Sequence, residues 1–481
     1  MFRACRGRIT LIASLAVLAL GAASACDATT EGEAVRVAVD KVAGFEVTHF
    51  DSGLKEDAPT PDVTVENLTD SLEDRLAVAT IADLNDFWGK TMPAEFGMEF
   101  KPVSRLISYD SRGESVQTKC GTIKDENAFY CPPGDTVTWD RGVLLPKMTG
   151  KYGPISPVTV LAHEYGHAVQ TRLGEKAGKD NTTPTIVSEL QADCFTGNYF
   201  RWVVEESSAY IRVSTAEGLN SALSSLYFVR DQPGKLQADM GAHGTAFDRT
   251  FAFQEGFEKG PKKCAGYDRE MIKQRTTQQK FSEHDTGKGD LPITEENLGL
   301  VKQSLDAAFG GDGGPEIAAS GGACDGDAGT PPASYCAGSN AVSVDIGALS
   351  QIGLPIDIRA ERQGEDAKGK GDFAAWASVA SRYVLGVQRS GDIAIDDTRA
   401  GLRTACLVGS WAGAANQPRE VAKTVRLSPG DVDEAILEML QPESLIASNV
   451  KGDQVPSGFL RIEAFRVGYN KGPDTCGSTY R

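Results

Sequence analysis

Four stretches of the first half of this chain recur, in the same order, in the second half. The run from Tyr130-Cys131 to Asp140 matches Tyr335-Cys336 to Asp345, with Val137 and Val342 in register. The run from Ala252-Phe253 to Cys264 matches Ala464-Phe465 to Cys476 without a gap, carrying Gly256 onto Gly468 and Lys259-Gly260-Pro261 onto Lys471-Gly472-Pro473. Between them, LAHEYGHAVQ from Leu161 lies on VASRYVLGVQ from Val379, and SELQADCFTGNY from Ser188 lies on AGLRTACLVGSW from Ala400. Collinear matches of this kind read as a duplication, so the fold must be one that can be built twice. At 481 residues the chain exceeds one ordinary core, and each copy has an ordinary domain size of about 200 residues. The polar stretch from Lys280 to Pro292, ahead of a helix start near Thr294, is the expected join, dividing the chain into 67–285 and 286–481. The second copy is shorter before its first cysteine pair and lacks an equivalent of the strand-like stretch from Glu99 to Tyr109.

Cys5 and Cys26 stand near the N-terminus, and the other eight cysteines form two sets: Cys120, Cys131, Cys194 and Cys264, then Cys324, Cys336, Cys406 and Cys476. An even number outside the reducing cytosol suggests disulfides. The sets correspond one to one. This favours pairing within a copy, Cys120 with Cys131, Cys194 with Cys264, Cys324 with Cys336 and Cys406 with Cys476, and leaves pairing across copies open.

The compartment is read from the start of the chain. Arg3, Arg6 and Arg8 precede an uncharged stretch from Leu11 to Ala25 ending in small residues, the pattern of a signal peptide over 1–25. The segment from Gly21 to Cys26 resembles a bacterial lipobox, in which Cys26 is lipidated and anchors the protein to the outer face of the membrane. Ala23-Ser24-Ala25 also suits an ordinary signal peptidase, which would leave a secreted protein. Residues 26–66 read as an acidic tether with room for one edge strand. A formal net charge of −17 argues against a nucleic-acid partner.

Ser156-Pro157, the apolar stripe Val158, Val160, Leu161, Tyr165, Ala168, Val169 and Leu173, and then Gly174 read as a helix with Ser156 as N-cap. His163 and His167 stand one turn apart on it, so both imidazoles can hold one zinc ion with Glu164 beside the open coordination position. Two packed, hydrogen-bonded histidines are the plain structural alternative. A catalytic zinc takes three side chains. A second helix expected over Thr185 to Glu205 offers Glu189 as the third ligand and, one turn on, Asp193 as an acceptor for a ligand imidazole. His243, just ahead of a helix ending near Gly260-Pro261, is a candidate for stabilising an oxyanion, and a surface histidine capping that helix is the competing reading. His49 and His284 lie in polar stretches and need no role.

The second copy is an internal control. His163, Glu164 and His167 become Ser381, Arg382 and Leu385; Glu189 becomes Gly401, Asp193 becomes Ala405 and His243 becomes Val455. Tyr165, Val169, Gln170, Leu190, Cys194 and Gly197 persist as Tyr383, Val387, Gln388, Leu402, Cys406 and Gly409. The chemical set is lost together while packing residues stay. One zinc per chain and an inactive second copy are expected.

The Cys120 to Cys131-Pro132 pair with its Val-Thr-Trp-Asp140 strand, HEYGHAVQ at 163–170, SELQADCFTG at 188–197 and HGTAFDR at 243–249 resemble the bacterial neutral zinc metallopeptidases, HExxH zincins with a downstream glutamate ligand. The resemblance spans about residues 70–267. It implies an α+β, helix-rich zincin-like domain with a small sheet whose edge, Thr136 to Asp140, would pair with a peptide of the cell envelope. It further implies hydrolysis by a zinc-activated water with Glu164 as general base. The competing reading is a non-enzymatic envelope lipoprotein with a zinc site and a partner- or peptide-binding second copy. Amide hydrolysis on cell-wall peptides would use the same chemistry.

Overall fold

The computed structural model describes residues 40–481 apart from 181, 237–238, 240, 276, 278, 282–289, 311–312, 325–328, 366–367 and 418–423. The signal-peptide and lipidation readings, with Cys26, and His284 therefore lie outside the described residues. Among the described residues no helix is long and apolar enough to cross a membrane.

The fold is α+β, with sixteen α-helices and several small sheets among the described residues. In the first half, β1 (Arg105–Tyr109), β2 (Ala128–Cys131) and β3 (Thr136–Asp140) form a sheet with β3 in the centre, parallel to β1 and antiparallel to β2. This corrects the expectation for Thr136 to Asp140. All five of its residues are buried, as suits a central strand covered on both faces, and the free edge is β2.

The long helix α1 (Leu72–Phe96) is capped by Ser71, whose Oγ accepts from Asp74 N, and ends at Gly97 in the left-handed conformation. It packs on α3 (Ile155–Leu173), which follows α2 (Leu144–Tyr152). Helix α3 begins two residues earlier than expected. Ser156 lies inside its first turn, donating from Oγ to Gly153 O at 2.7 Å instead of capping, and Pro157 is the third helical residue, where no intrahelical N–H bond is lost.

Helix α4 (Thr185–Val204) then crosses both α3 and, after α5 (Glu217–Phe228), α6 (Ala246–Lys259). The crossing of α4 and α6 is close because glycines face backbone. A Cβ at Gly197 would collide with the Phe253 carbonyl, and one at Gly256 with the Cys194 carbonyl. The Cys194–Cys264 disulfide ties the same pair of segments together.

The second half contains another three-stranded sheet and a further set of helices. Its sheet has β6 (Ala341–Val344) in the centre, parallel to β4 (Glu316–Ala318) and antiparallel to β5 (Ala333–Cys336). A counterpart of β1 is thus present, shortened to three residues, where the sequence suggested none. Helix α7 (Glu295–Phe309) starts at the expected Thr294 cap; α8 (Asp372–Ser390) follows, then α9 (Ala400–Ala415), α10 (Asp431–Leu440) and α11 (Gly458–Lys471). Gly409 and Gly468 meet the carbonyls of Phe465 and Cys406, repeating the glycine crossing between α9 and α11. Tyr383 Oη donates to Asp306 as Tyr165 Oη does to Asn85. The disulfides are Cys120–Cys131, Cys194–Cys264, Cys324–Cys336 and Cys406–Cys476, each within one half.

Residues 40–66 were expected to belong to the tether, and the structure corrects this. Lys41–Val42 and Phe45–Glu46 form a hairpin, Gly53–Leu54 pairs with Ile211–Arg212, Glu66 bridges to Ile107, and Val42 is fully buried. Residues 40–481, where described, form one unit whose apolar core runs through both halves, with α5 and α6 packed on α10 and α11.

Candidate metal centre

Helices α3 and α4 meet where Gly166 faces Ala192: a Cβ on Gly166 would stand 3.0 Å from Ala192 Cα. That approach brings His163, Glu164 and His167 on α3 against Glu189 and Asp193 on α4. Donor atoms of His163, His167 and Glu189 all lie within 4.8 Å of one another. His163 Nε2 is 3.2 Å from Glu189 Oε2, and His167 Nε2 is 3.5 Å from Glu189 Oε1.

Each imidazole is oriented through its other nitrogen. His163 Nδ1 donates to Asp193 Oδ1 at 2.8 Å, and His167 Nδ1 donates to Gln170 Oε1 at 3.1 Å, with the tautomers assigned from these acceptors. A metal ion that displaced the Nε2 protons would therefore meet two nitrogen lone pairs beside the Glu189 carboxylate. Two imidazole nitrogens and a carboxylate converging on one point, with second partners in place, fit a zinc ion taking three protein ligands. A second carboxylate group, Asp372, Asp431 and Glu434, contains only oxygen donors and does not suit zinc.

Arg249 on α6 completes the arrangement. Its Nε and Nη2 donate to Asp193 at 2.9 and 2.8 Å, and Nη1 donates to Val229 O at 2.8 Å. Burial alone would raise the pKa of Asp193, but Arg249 and His163 outweigh it and hold the carboxylate below its ordinary range. Burial likewise opposes charge on His163; Asp193 and Glu189 overcome it and raise that pKa to about 10. The site is built to stabilise positive charge at this point.

Glu164 is half-buried and accepts from Tyr130 N at 2.9 Å, which fixes it against the free edge strand β2. It lines a cavity of about 220 Å³ together with His163, His243, Arg249, Ala128 and Phe228. His243 is 47% exposed, with Nδ1 3.5 Å from Asp231 Oδ1. Its own N–H and that of Gly244 donate to Asp231 Oδ2, both at 2.8 Å.

The aligned positions of the second half are closely packed. Arg382, at the position of Glu164, is fully buried and donates to Leu445 O, Asn449 O and Ser448 Oγ at 2.8, 2.9 and 2.8 Å. A Cβ on Gly401, at the position of Glu189, would lie 2.8 Å from Ala447 O and 2.9 Å from Val455 Cγ2. The segment 445–455 thus packs directly against both Arg382 and Gly401.

Two orienting residues escaped the reading of the sequence, Arg249 and Gln170. Comparison with the second half singles out residues that changed, and these two are matched there by Arg461 and Gln388. The position of Arg249 inside HGTAFDR was the available signal.

A paired-helix His, His, Glu site beside a small sheet defines the class. Residues 37–267, just under half of the chain, match the family described as "Putative neutral zinc metallopeptidase". The chain is 29% identical over 203 residues to the uncharacterized protein Rv2575 of Mycobacterium tuberculosis, a match covering 38% of this chain and 66% of that protein, just under two thirds. It is 29% identical over 200 residues to the uncharacterized protein YpfJ of Escherichia coli, covering 38% of this chain and 68% of that one. No solved structure matches.

Proposed function

We propose that this chain is an extracytoplasmic zinc-dependent peptidase acting on peptides or proteins of the cell envelope, with one zinc per chain. The observation that carries the reading is the convergence of His163, His167 and Glu189 donor atoms within 4.8 Å, beside a cavity into which Glu164 opens. Bound zinc supplies Lewis acidity, polarising a carbonyl and bringing the pKa of water towards about 7.

The chain's own residues do the rest. Asp193, held by Arg249, fixes the His163 ring, and Gln170 fixes that of His167. Glu164, anchored by Tyr130 N, takes the proton of the attacking water and delivers it to the leaving amine. His243, steadied by Asp231 on the cavity wall, donates towards the developing oxyanion. The free edge of β2 borders the cavity and suits an extended substrate.

The second half is read as a degenerate, inactive duplicate. The repeated sheet order, disulfide spacing and glycine crossing support this, as does the close packing around Arg382. The signal-peptide pattern and four disulfides support an extracytoplasmic address, with anchoring through Cys26 or secretion after a cut at Ala25. Metal analysis of the purified protein, coupled to cleavage of a mixed peptide library with and without a chelator, tests the reading. One zinc per chain and chelator-sensitive cleavage are expected; cleavage that survives complete metal removal overturns it.

A further inference from the structure

We infer that the second half is a brace for the first, and that Glu361 and Asp433 are positioning residues for the metal site. The inference rests on the peptidase reading for its consequence on activity, but its geometry is independent of that reading.

Three consecutive residues after α5 form a junction. Val229 O accepts from Arg249 Nη1, and Arg249 in turn holds Asp193 against His163. Asp231 accepts the N–H groups of His243 and Gly244. Between them stands Arg230, whose side chain turns to the second half. Its Nη1 and Nη2 donate to Glu361 Oε1 and Oε2 at 3.2 and 3.1 Å, and its Nε lies 3.9 Å from Asp433 Oδ2. The guanidinium also stacks on Tyr227, 3.7 Å from the ring centroid.

Asp433 has a second role, accepting at Oδ1 from Phe247 N at 3.1 Å. Phe247 is in the first turn of α6, two residues before Arg249. Two carboxylates of the second half thus hold both the strap that carries Val229 and Asp231 and the start of the helix that carries Arg249. All four groups, Arg230, Glu361, Asp433 and Arg249, are at least nine-tenths buried. In that setting a paired charge has a sharply defined position. Arg382 is fully buried and tied to segment 445–455, whereas the aligned Glu164 opens on a cavity, so bracing is the role the second half's hydrogen bonds support.

The test is the double variant Arg230→Met with Glu361→Leu, which removes both charges together and avoids leaving either buried alone. Single variants at this pair can fail to fold for that reason. Two readouts are needed. Hydrogen exchange at the amides of His243, Gly244 and Phe247 reports the brace without reference to metal; it should rise about tenfold while amides of β1 to β3 stay protected. Zinc affinity should fall about tenfold, with kcat lowered and KM little changed, because the metal ligands are held less firmly while the groups that touch substrate stay in place. Unchanged exchange at those amides in a folded double variant overturns the inference. A wild-type protein that takes up no zinc overturns the peptidase reading alone, and the exchange result still decides the brace.

Discussion

The guanidinium of Arg249 grips the carboxylate of Asp193 by two parallel hydrogen bonds, Nε to Oδ2 at 2.9 Å and Nη2 to Oδ1 at 2.8 Å. A lysine cannot reproduce that fork. Arg249→Lys is expected to keep the fold while zinc affinity drops about 10- to 100-fold, the usual cost of disturbing a partner of a metal ligand. Competition titration with a chelating dye measures it.

Glu164→Gln keeps the length and the hydrogen bond from Tyr130 N but removes the base. Hydrolysis should fall about 10²- to 10⁴-fold with zinc content unchanged. A variant as active as the wild type, at equal zinc content, would remove Glu164 from the mechanism.

Glycines separate scaffold from surface. Gly197→Ala drives a methyl group into the Phe253 carbonyl and should cost more than about 3 kcal/mol or prevent folding. Gly89→Ala, on the exposed side of α1 with nothing within 4 Å of a new Cβ, should stabilise by about 0.5–1 kcal/mol. Thermal melting of the two variants compares them directly.

Asp248 is buried at the start of α6. Burial raises its pKa to about 7 against the hydrogen bond from Thr277 N and the charge of Arg275. The folded state therefore keeps this proton when the unfolded chain, with an ordinary carboxyl, has lost it. Its contribution to stability is complete below about pH 4 and disappears as pH rises through 7, a change of up to roughly 4 kcal/mol. Asp248→Asn should flatten the denaturation free energy between about pH 4 and 7; an unaltered slope in the variant contradicts the assignment.

Grafting Ser381→His, Arg382→Glu, Leu385→His and Gly401→Glu restores the ligand types to the second half. It should yield no second zinc, because the Ala447 carbonyl and Val455 stand where a side chain at 401 would go. Metal content of two per chain in the grafted protein would show that the space opens readily.

Much of the site was legible because helical spacing is short-range physics. His163 and His167 one turn apart, and Glu189 and Asp193 one turn apart, were placed correctly on their helices, and the matched cysteines suggested the disulfides now seen. What escaped depends on distant chain. Whether Thr136 to Asp140 is a central or an edge strand is decided by Arg105–Tyr109 arriving beside it. Residues 40–66 look like polar tether because their partners, Ile211–Arg212 and Ile107, lie far along the sequence. Arg230 and Glu361, 131 positions apart, leave no local pattern at all.

Arg382 gives the two halves different kinds of keystone. In the second half a positive charge tied to the backbone by its own side chain gathers the carbonyls of Leu445 and Asn449. Under the metal reading, the first half relies beside the matching residue, Glu164, on a charge that can leave. Chelators should therefore loosen the helix pair that carries His163 and Glu189 while the Arg382 cluster keeps its hydrogen bonds.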